Sequence, residues 1–286
     1  MLRRFIFGIL VFQLFGFSQV FGQEKNDSIQ IKGSDTMVNL GQAWAEGYMQ
    51  KHGETFIAVT GGGSGTGIAA LINNSCSIAM SSRKIKQKEI DQAAKNGIVP
   101  AEYTVALDGL AVVVNPKNPV HQLTIEELAE IFTGKVKNWK EIGGEDLPIV
   151  ILSREVNSGT HVYFKEHVLR GGDEKRTDEF ADSALLMPSS QAIADEITQN
   201  KNAIGYYGMG YINATQKALA VAKDKNSPYV EPTVENVKKG AYYISRPLFL
   251  YTNGQPQGLI SDFLNFALSK DGQDIVKQID FVPVQN

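Results

Sequence analysis

An α/β fold with a middle lobe inserted into a discontinuous outer one is predicted by two features of this 286-residue chain. Short apolar runs alternate with amphipathic segments of roughly ten to fifteen residues, the order of strand, turn and helix that builds such proteins. Two apolar runs, Tyr103 to Val114 before Asn115-Pro116 and Tyr242 to Tyr251, exceed the usual strand of about five or six residues. A strand that starts in one lobe and finishes in the other accounts for both lengths and makes the two crossings a hinge. Two ordinary long strands of one sheet are the alternative.

The elements follow in order. Arg3 and Arg4 precede the apolar stretch Phe5 to Phe17, interrupted only by Gln13, and small residues follow at Ser18 and Gly22. This is the pattern of a secretory signal peptide, residues 1–22, cut near Gly22. Its thirteen apolar-stretch residues fall short of the ~20 that span a bilayer, which leaves an uncleaved anchor as the alternative. Strand-like Ile29-Gln-Ile31 leads into Met37, Leu40, Trp44 and Tyr48, a helical stripe read as core. The same order recurs from Phe56 to Asn73, and from Pro148–Leu152 into His161–Leu169. Thr124-Ile-Glu-Glu127 is a capping box that opens a helix with Ile125, Leu128, Ile131 and Phe132 on its apolar face and Gly134 as its stop. Leu259 to Leu268 forms a further helix, and Phe281-Val-Pro-Val284 a last short strand.

Composition bounds the function. With 43% hydrophobic and 21% charged residues the chain can bury a core, and a net charge of −3 with a pI near 5.9 gives no basic excess for nucleic acid or lipid headgroups. Loss of Arg3 and Arg4 takes 28 basic residues to 26 against 31 acidic, a mature net charge of −5. The single cysteine, Cys76, has no disulfide partner and lies far from the cleavage region, so it is not a lipidated first residue. It reads as a small semi-buried residue.

Gly, Ser and Thr cluster where three strands should hand over to helices: Gly33-Ser-Asp-Thr36, Gly61 to Gly67, and Asn157-Ser-Gly-Thr160. Helix starts leave backbone N–H groups without partners and carry partial positive charge; glycine admits close approach and hydroxyls add donors. Three such turns suggest one oxyanion held between converging helix ends. Ile68-Ala-Ala70 after the glycine cluster excludes a nucleoside triphosphatase loop, and Thr66 stands where a dinucleotide fingerprint needs glycine. His52, His121, His161 and His167 show no zinc spacing. His161 is either a base for Ser158, three residues earlier, or an exposed surface histidine. Arg154 either forks two donors onto a tetrahedral anion or pairs with Glu155 or another acid.

These residues together resemble the periplasmic phosphate-binding proteins of bacterial phosphate ABC transporters, from about Ile29 to Val284. The resemblance rests on Ile31-Lys-Gly-Ser-Asp-Thr36, Gly63-Ser-Gly-Thr-Gly67, Ile78-Ala-Met-Ser-Ser-Arg83, Ala106-Leu-Asp-Gly109 with Asn115-Pro116, and Leu128 to Gly134 followed by Asn138-Trp139. It continues in Arg154 with Ser158-Gly-Thr160, Ala203-Ile-Gly-Tyr206, and Gly272-Gln-Asp-Ile-Val276 before Val282-Pro283. It implies a two-lobed, type II periplasmic-binding fold with two crossover hinge strands: lobe I from 29–108 plus 246–286 and lobe II from 109–245. It places phosphate contacts on Thr36, the Met37 N–H, Ser64, Ser82, Arg154, Ser158, Gly159 and Thr160, with Ser34 in the same first turn as a further candidate.

Two departures stand out. Better-known members carry aspartate where Ser82 stands and two residues after the arginine, where this chain has Val156. Protonated phosphate needs an acceptor that sulfate would repel, and Asp108 in the first long run is a candidate replacement. Arg83 either adds charge near the cleft or forms a structural ion pair. The resemblance implies a periplasmic or secreted, non-enzymatic, monomeric receptor that delivers inorganic phosphate to permease and ATPase subunits, with no cofactor or metal. The alternatives are a sulfate or molybdate receptor, a sensor that does not transport, and a phosphomonoesterase using Ser158 with His161.

Overall fold

Ile29 and Ile31 of β1 (Ser28–Gly33) are buried while Ser28 and Gln30 face solvent, the alternation of a strand covered on one face. The computed structural model describes residues 28–285, and the expected signal peptide lies outside them. The chain continues through α1 (Val38–Lys51), β2 (Phe56–Thr60), α2 (Ser64–Ile72), β3 (Ile78–Ser81), α3 (Gln87–Lys95) and the long β4 (Pro100–Val114). The middle segment holds β5 (Gln122–Thr124), α4 (Ile125–Phe132), β6 (Val150–Arg154), α5 (Gly159–Phe164, prolonged by a π-type turn to Leu169) and β7 (Leu185–Met187). It goes on through α6 (Ser190–Gln199), β8 (Ala203–Gly208), β9 (Lys217–Ala218), β10 (Ala220–Ala222) and α7 (Val234–Lys238). The chain returns in β11 (Ser245–Asn253) and ends with α8 (Gly258–Leu268), α9 (Lys270–Gln278) and β12 (Val282–Pro283).

The main sheet runs in the order β2-β1-β3-β11-β4-β8-β6-β7. Parallel pairs β1–β2 and β1–β3 build one half, and parallel pairs β6–β8 and β6–β7 build the other. Strand β4 belongs to both. From Pro100 to Gly109 it pairs antiparallel with β11, and from Leu110 to Val114 with β8, so one strand carries the chain across the cleft. Its length follows from these two pairings.

The second long run behaves differently. Expected as strand from Tyr242, it enters the ladder only at Ser245. Tyr242 and Ile244 are buried just ahead of the strand: Tyr242 Oη donates to Leu110 O at 2.7 Å, and a single backbone bond, Leu110 N donating to Ile244 O at 2.8 Å, precedes the ladder. The apolar character of this stretch therefore reports burial beside the crossing, and β11 itself stays on the β3 side.

The predicted helical stripe Met37, Leu40, Trp44 and Tyr48 is buried against the sheet, with Trp44 Nε1 donating to Gly272 O at 2.8 Å. In the other half Phe164 stacks on Tyr206 with centroids 3.8 Å apart, and Phe132 packs edge-on against both. Cys76 is buried, which pushes its thiol up to about 11 and leaves it a poor nucleophile at neutral pH. Among the described residues no helix is long and apolar enough to cross a membrane.

The capping box at α4 is formed: Thr124 Oγ1 accepts from Glu127 N at 3.2 Å, Glu127 Oε2 accepts from Thr124 N at 2.8 Å, and Gly134 at φ 76° ends the turn. Thr124→Ala is expected to lower stability by about 1 kcal/mol in urea denaturation, since the Glu127 amide at the helix start loses the hydroxyl that accepts from it.

Candidate functional site

The turns after β1, β2, β3 and β6 meet in one place, at the C-terminal ends of parallel strands where helix-start amides emerge. Their hydroxyls bond to one another. Thr36 Oγ1 lies 2.8 Å from Thr160 Oγ1, Ser34 Oγ donates to Ser82 Oγ at 3.0 Å, and Ser64 Oγ lies 3.2 Å from Ser82 Oγ. All are 2% exposed or less. Ser158 caps α5, its Oγ accepting from Thr160 N at 3.2 Å and His161 N at 3.4 Å. Gly159 is pressed so close that a Cβ there would sit 2.3 Å from Ser64 Oγ and 2.6 Å from Ser82 Oγ. Seven of the expected residues, Ser34, Thr36, Ser64, Ser82, Ser158, Gly159 and Thr160, thus share one buried, hydroxyl-rich site.

Asn157 ties the two sides of the site together. Its Nδ2 donates to Gly62 O at 2.8 Å and Thr66 Oγ1 at 3.2 Å, and its carbonyl accepts from Gly65 N at 2.9 Å. Gly63 makes that approach possible: at φ 90°, with Asn157 O 2.9 Å from where a Cβ would stand, only glycine fits.

Three of the singled-out residues have partners within the protein. The Met37 N–H, expected to face an anion, donates to Ser34 O at 3.0 Å in a 3-10 turn, and its side chain is in the core. The Arg154 guanidinium, expected to fork onto an anion or to pair with an acid, pairs with Asp35 Oδ2 through Nη2 at 2.6 Å, and donates from Nε to Met187 O, from Nη1 to Ser190 Oγ and from Nη2 to Pro188 O. With Val156 in place of a nearby acid, Asp35 from the opposite side of the cleft is the carboxylate it reaches. His161, expected as a base or as exposed, is neither. It is buried with Nδ1 2.8 Å from the Arg154 carbonyl, and burial is the main cause that pushes it down to about 4. Ser158 therefore has no imidazole base beside it. Arg83 takes the structural option, paired through both Nη atoms with Glu89 at 2.7 and 2.9 Å.

Asp108 lies within the site but behind another residue. Its Oδ2 accepts from Arg246 Nη2 at 2.9 Å and Nε at 3.1 Å, and its Oδ1 accepts from Met209 N at 3.1 Å. Complete burial pushes this carboxyl up from its ordinary value against the pull of Arg246. Arg246 was absent from the sequence candidates. A signal for it existed, since Asp108 and Arg246 are the charged interruptions of the two long apolar runs, where a charge must have a partner to be buried. Among the described residues no group of three or more His, Cys, Asp or Glu side chains is placed to hold a metal ion.

The chain matches the family model described as a PBP superfamily domain over residues 21–271. It is 34% identical to the phosphate-binding protein PstS of Pseudomonas aeruginosa, over 88% of this chain and 81% of that protein. It is also 34% identical to PstS of Bacillus subtilis, over 92% and 83%. Among solved structures, a substrate-binding protein from Clostridium perfringens with bound phosphate superposes with a TM-score of 0.81 at 33% identity, covering 91% of this chain and all of that one. An ABC-type phosphate transport receptor from Vibrio cholerae gives 0.69 at 32%, covering 89% and 99%.

Two outcomes are expected. In Gly159→Ala the added methyl pushes the β6–α5 turn off Ser64 and Ser82, holding the halves apart, which small-angle scattering reads as a larger radius of gyration than wild type. His161 has a folded pKa of about 4, below its ordinary 6.5, so the unfolded chain binds the proton first. Its stabilising contribution is complete above pH 6.5 and is lost toward pH 4, at about 1.4 kcal/mol per unit. Denaturation of wild type beside His161→Phe should show the gap between them narrowing across that window.

Proposed function

Because the chain belongs to the PBP superfamily domain family, alongside phosphate-binding proteins, we propose that it captures inorganic phosphate between two lobes and delivers it to ABC-type permease and ATPase subunits. The lobes correspond to 29–108 plus 246–286 and to 109–245, joined by β4 and by the passage into β11. Export by the N-terminal segment would put the mature protein in the periplasm or outside the cell.

The observation that carries this reading is the convergence of hydroxyls and helix starts from four separate turns. Each hydroxyl that now bonds a neighbour can rotate its hydrogen toward an oxyanion. Donors from both lobes then point at one ligand, so ligand stabilises the closed arrangement over the open one. Micromolar affinity requires about 8 kcal/mol, within reach of several charge-assisted hydrogen bonds in a site closed to water. The net negative charge is no obstacle, because distant charges are screened beyond about 8 Å in physiological salt while the donors lie in contact.

A binding protein suits the site better than a hydrolase. Ser158 Oγ is engaged as a helix cap, and the His161 ring faces the Arg154 carbonyl. Release requires the lobes to part, which breaks the Asp35–Arg154 ion pair and the bonds of Asn157 across the cleft.

Calorimetric titration of phosphate-stripped mature protein is expected to show phosphate binding at micromolar affinity or tighter. Sulfate and molybdate are the comparison anions. Binding of either with no phosphate heat overturns the reading, and turnover of a phosphomonoester by the purified protein would replace it with the enzyme.

A further inference from the structure

We propose that Arg246 is an anion-binding residue of this site, mounted where the chain crosses between the lobes, and that Asp108 positions it. The inference rests on the anion-binding reading above and adds the full positive charge that the hydroxyl cluster lacks.

Arg246 on β11 stands in register opposite Asp108 on β4, one residue before β4 leaves β11 and turns to β8. From that point its Nη2 reaches both sides of the cleft, 3.4 Å from Thr36 Oγ1 and 3.0 Å from Thr160 Oγ1. Those are the two hydroxyls that bond each other across the lobes. An oxyanion accepting from Thr36 and Thr160 therefore lies within reach of this guanidinium.

Counting donors points the same way. Nε and Nη2 serve Asp108, whereas Nη1 is buried and has no hydrogen-bond partner, one of three such side-chain atoms among the described residues. The side chain is 1% exposed and packs over the Tyr163 ring at 5.5 Å. A buried guanidinium N–H without an acceptor is unfavourable, and such atoms in native proteins need a reason. An anion that takes Nη1 satisfies it, and the guanidinium then offers two forked donors to two oxygens. Asp108 touches Arg246 and Met209 and no hydroxyl of the cluster. It acts through Arg246: it fixes the plane of the fork and neutralises a charge that could not otherwise be buried between two strands.

Four proteins test this by phosphate calorimetry and by scattering with and without phosphate: wild type, Arg246→Lys, Arg246→Met, and the double variant Asp108→Leu with Arg246→Met. The single Met variant strands a buried carboxylate, whereas the double variant replaces the pair with apolar groups of similar size, which such sites tolerate. Folding is checked by circular dichroism. The expected result is about a hundredfold weaker phosphate binding in the folded double variant, about tenfold in Arg246→Lys, and loss of phosphate-induced compaction in the double variant. A folded double variant within threefold of wild-type affinity overturns the assignment of Arg246 and leaves the phosphate reading intact. No phosphate binding by wild type overturns both.

Discussion

Two polypeptide crossings lie side by side between the halves of this molecule, and the charged pair Asp108–Arg246 is set between them. Both side chains are almost wholly buried, so neither charge could persist without the other. That requirement fixes the register of β4 on β11, because a slip of one residue would separate the pair and turn every neighbouring side chain to the opposite face. With the register fixed, the ends of β1, β2 and β3 on one side and of β6 on the other arrive at the same depth. The site is assembled by that coincidence.

Residues that line the site are small for a reason that follows from closure. Four turns must come within hydrogen-bond distance of one another, and Gly63 and Gly159 stand where any Cβ would collide with Asn157 O or with Ser64 Oγ. Ser and Thr bring a donor without bulk, and each can exchange a bond to its neighbour for one to a ligand. Around this cluster the Asp35–Arg154 pair and the bonds of Asn157 join the lobes directly. The closed arrangement thus has protein-to-protein contacts of its own, and ligand adds to them.

Cationic groups divide their work by location. Arg154 has donors occupied by the β7–α6 connection and by Asp35, so it holds the two lobes in relation to each other. Arg83 stiffens the turn after β3 through Glu89. Arg246 alone of the three reaches the shared hydroxyls of Thr36 and Thr160. Residue type is the same in all three, and the acids within reach of each decide its role.

Much of this was legible in the order of residues. Alternating apolar runs gave the α/β class, Thr124 and Glu127 announced a helix start, and the excess length of Tyr103 to Val114 identified a strand with two sets of neighbours. Local chemistry explains why: periodicity, capping and glycine-rich turns depend on residues a few positions apart. What sequence could not assign were choices between partners distant along the chain. Arg154 met Asp35, 119 positions away, Asp108 met Arg246, 138 positions away, and His161 turned into the core against the carbonyl of Arg154. Sequence determined the elements and the donor-rich turns, because those follow from neighbours along the backbone. Tertiary structure decided which charge faces the cleft, because the partner of a buried charge is set by how the strands cross.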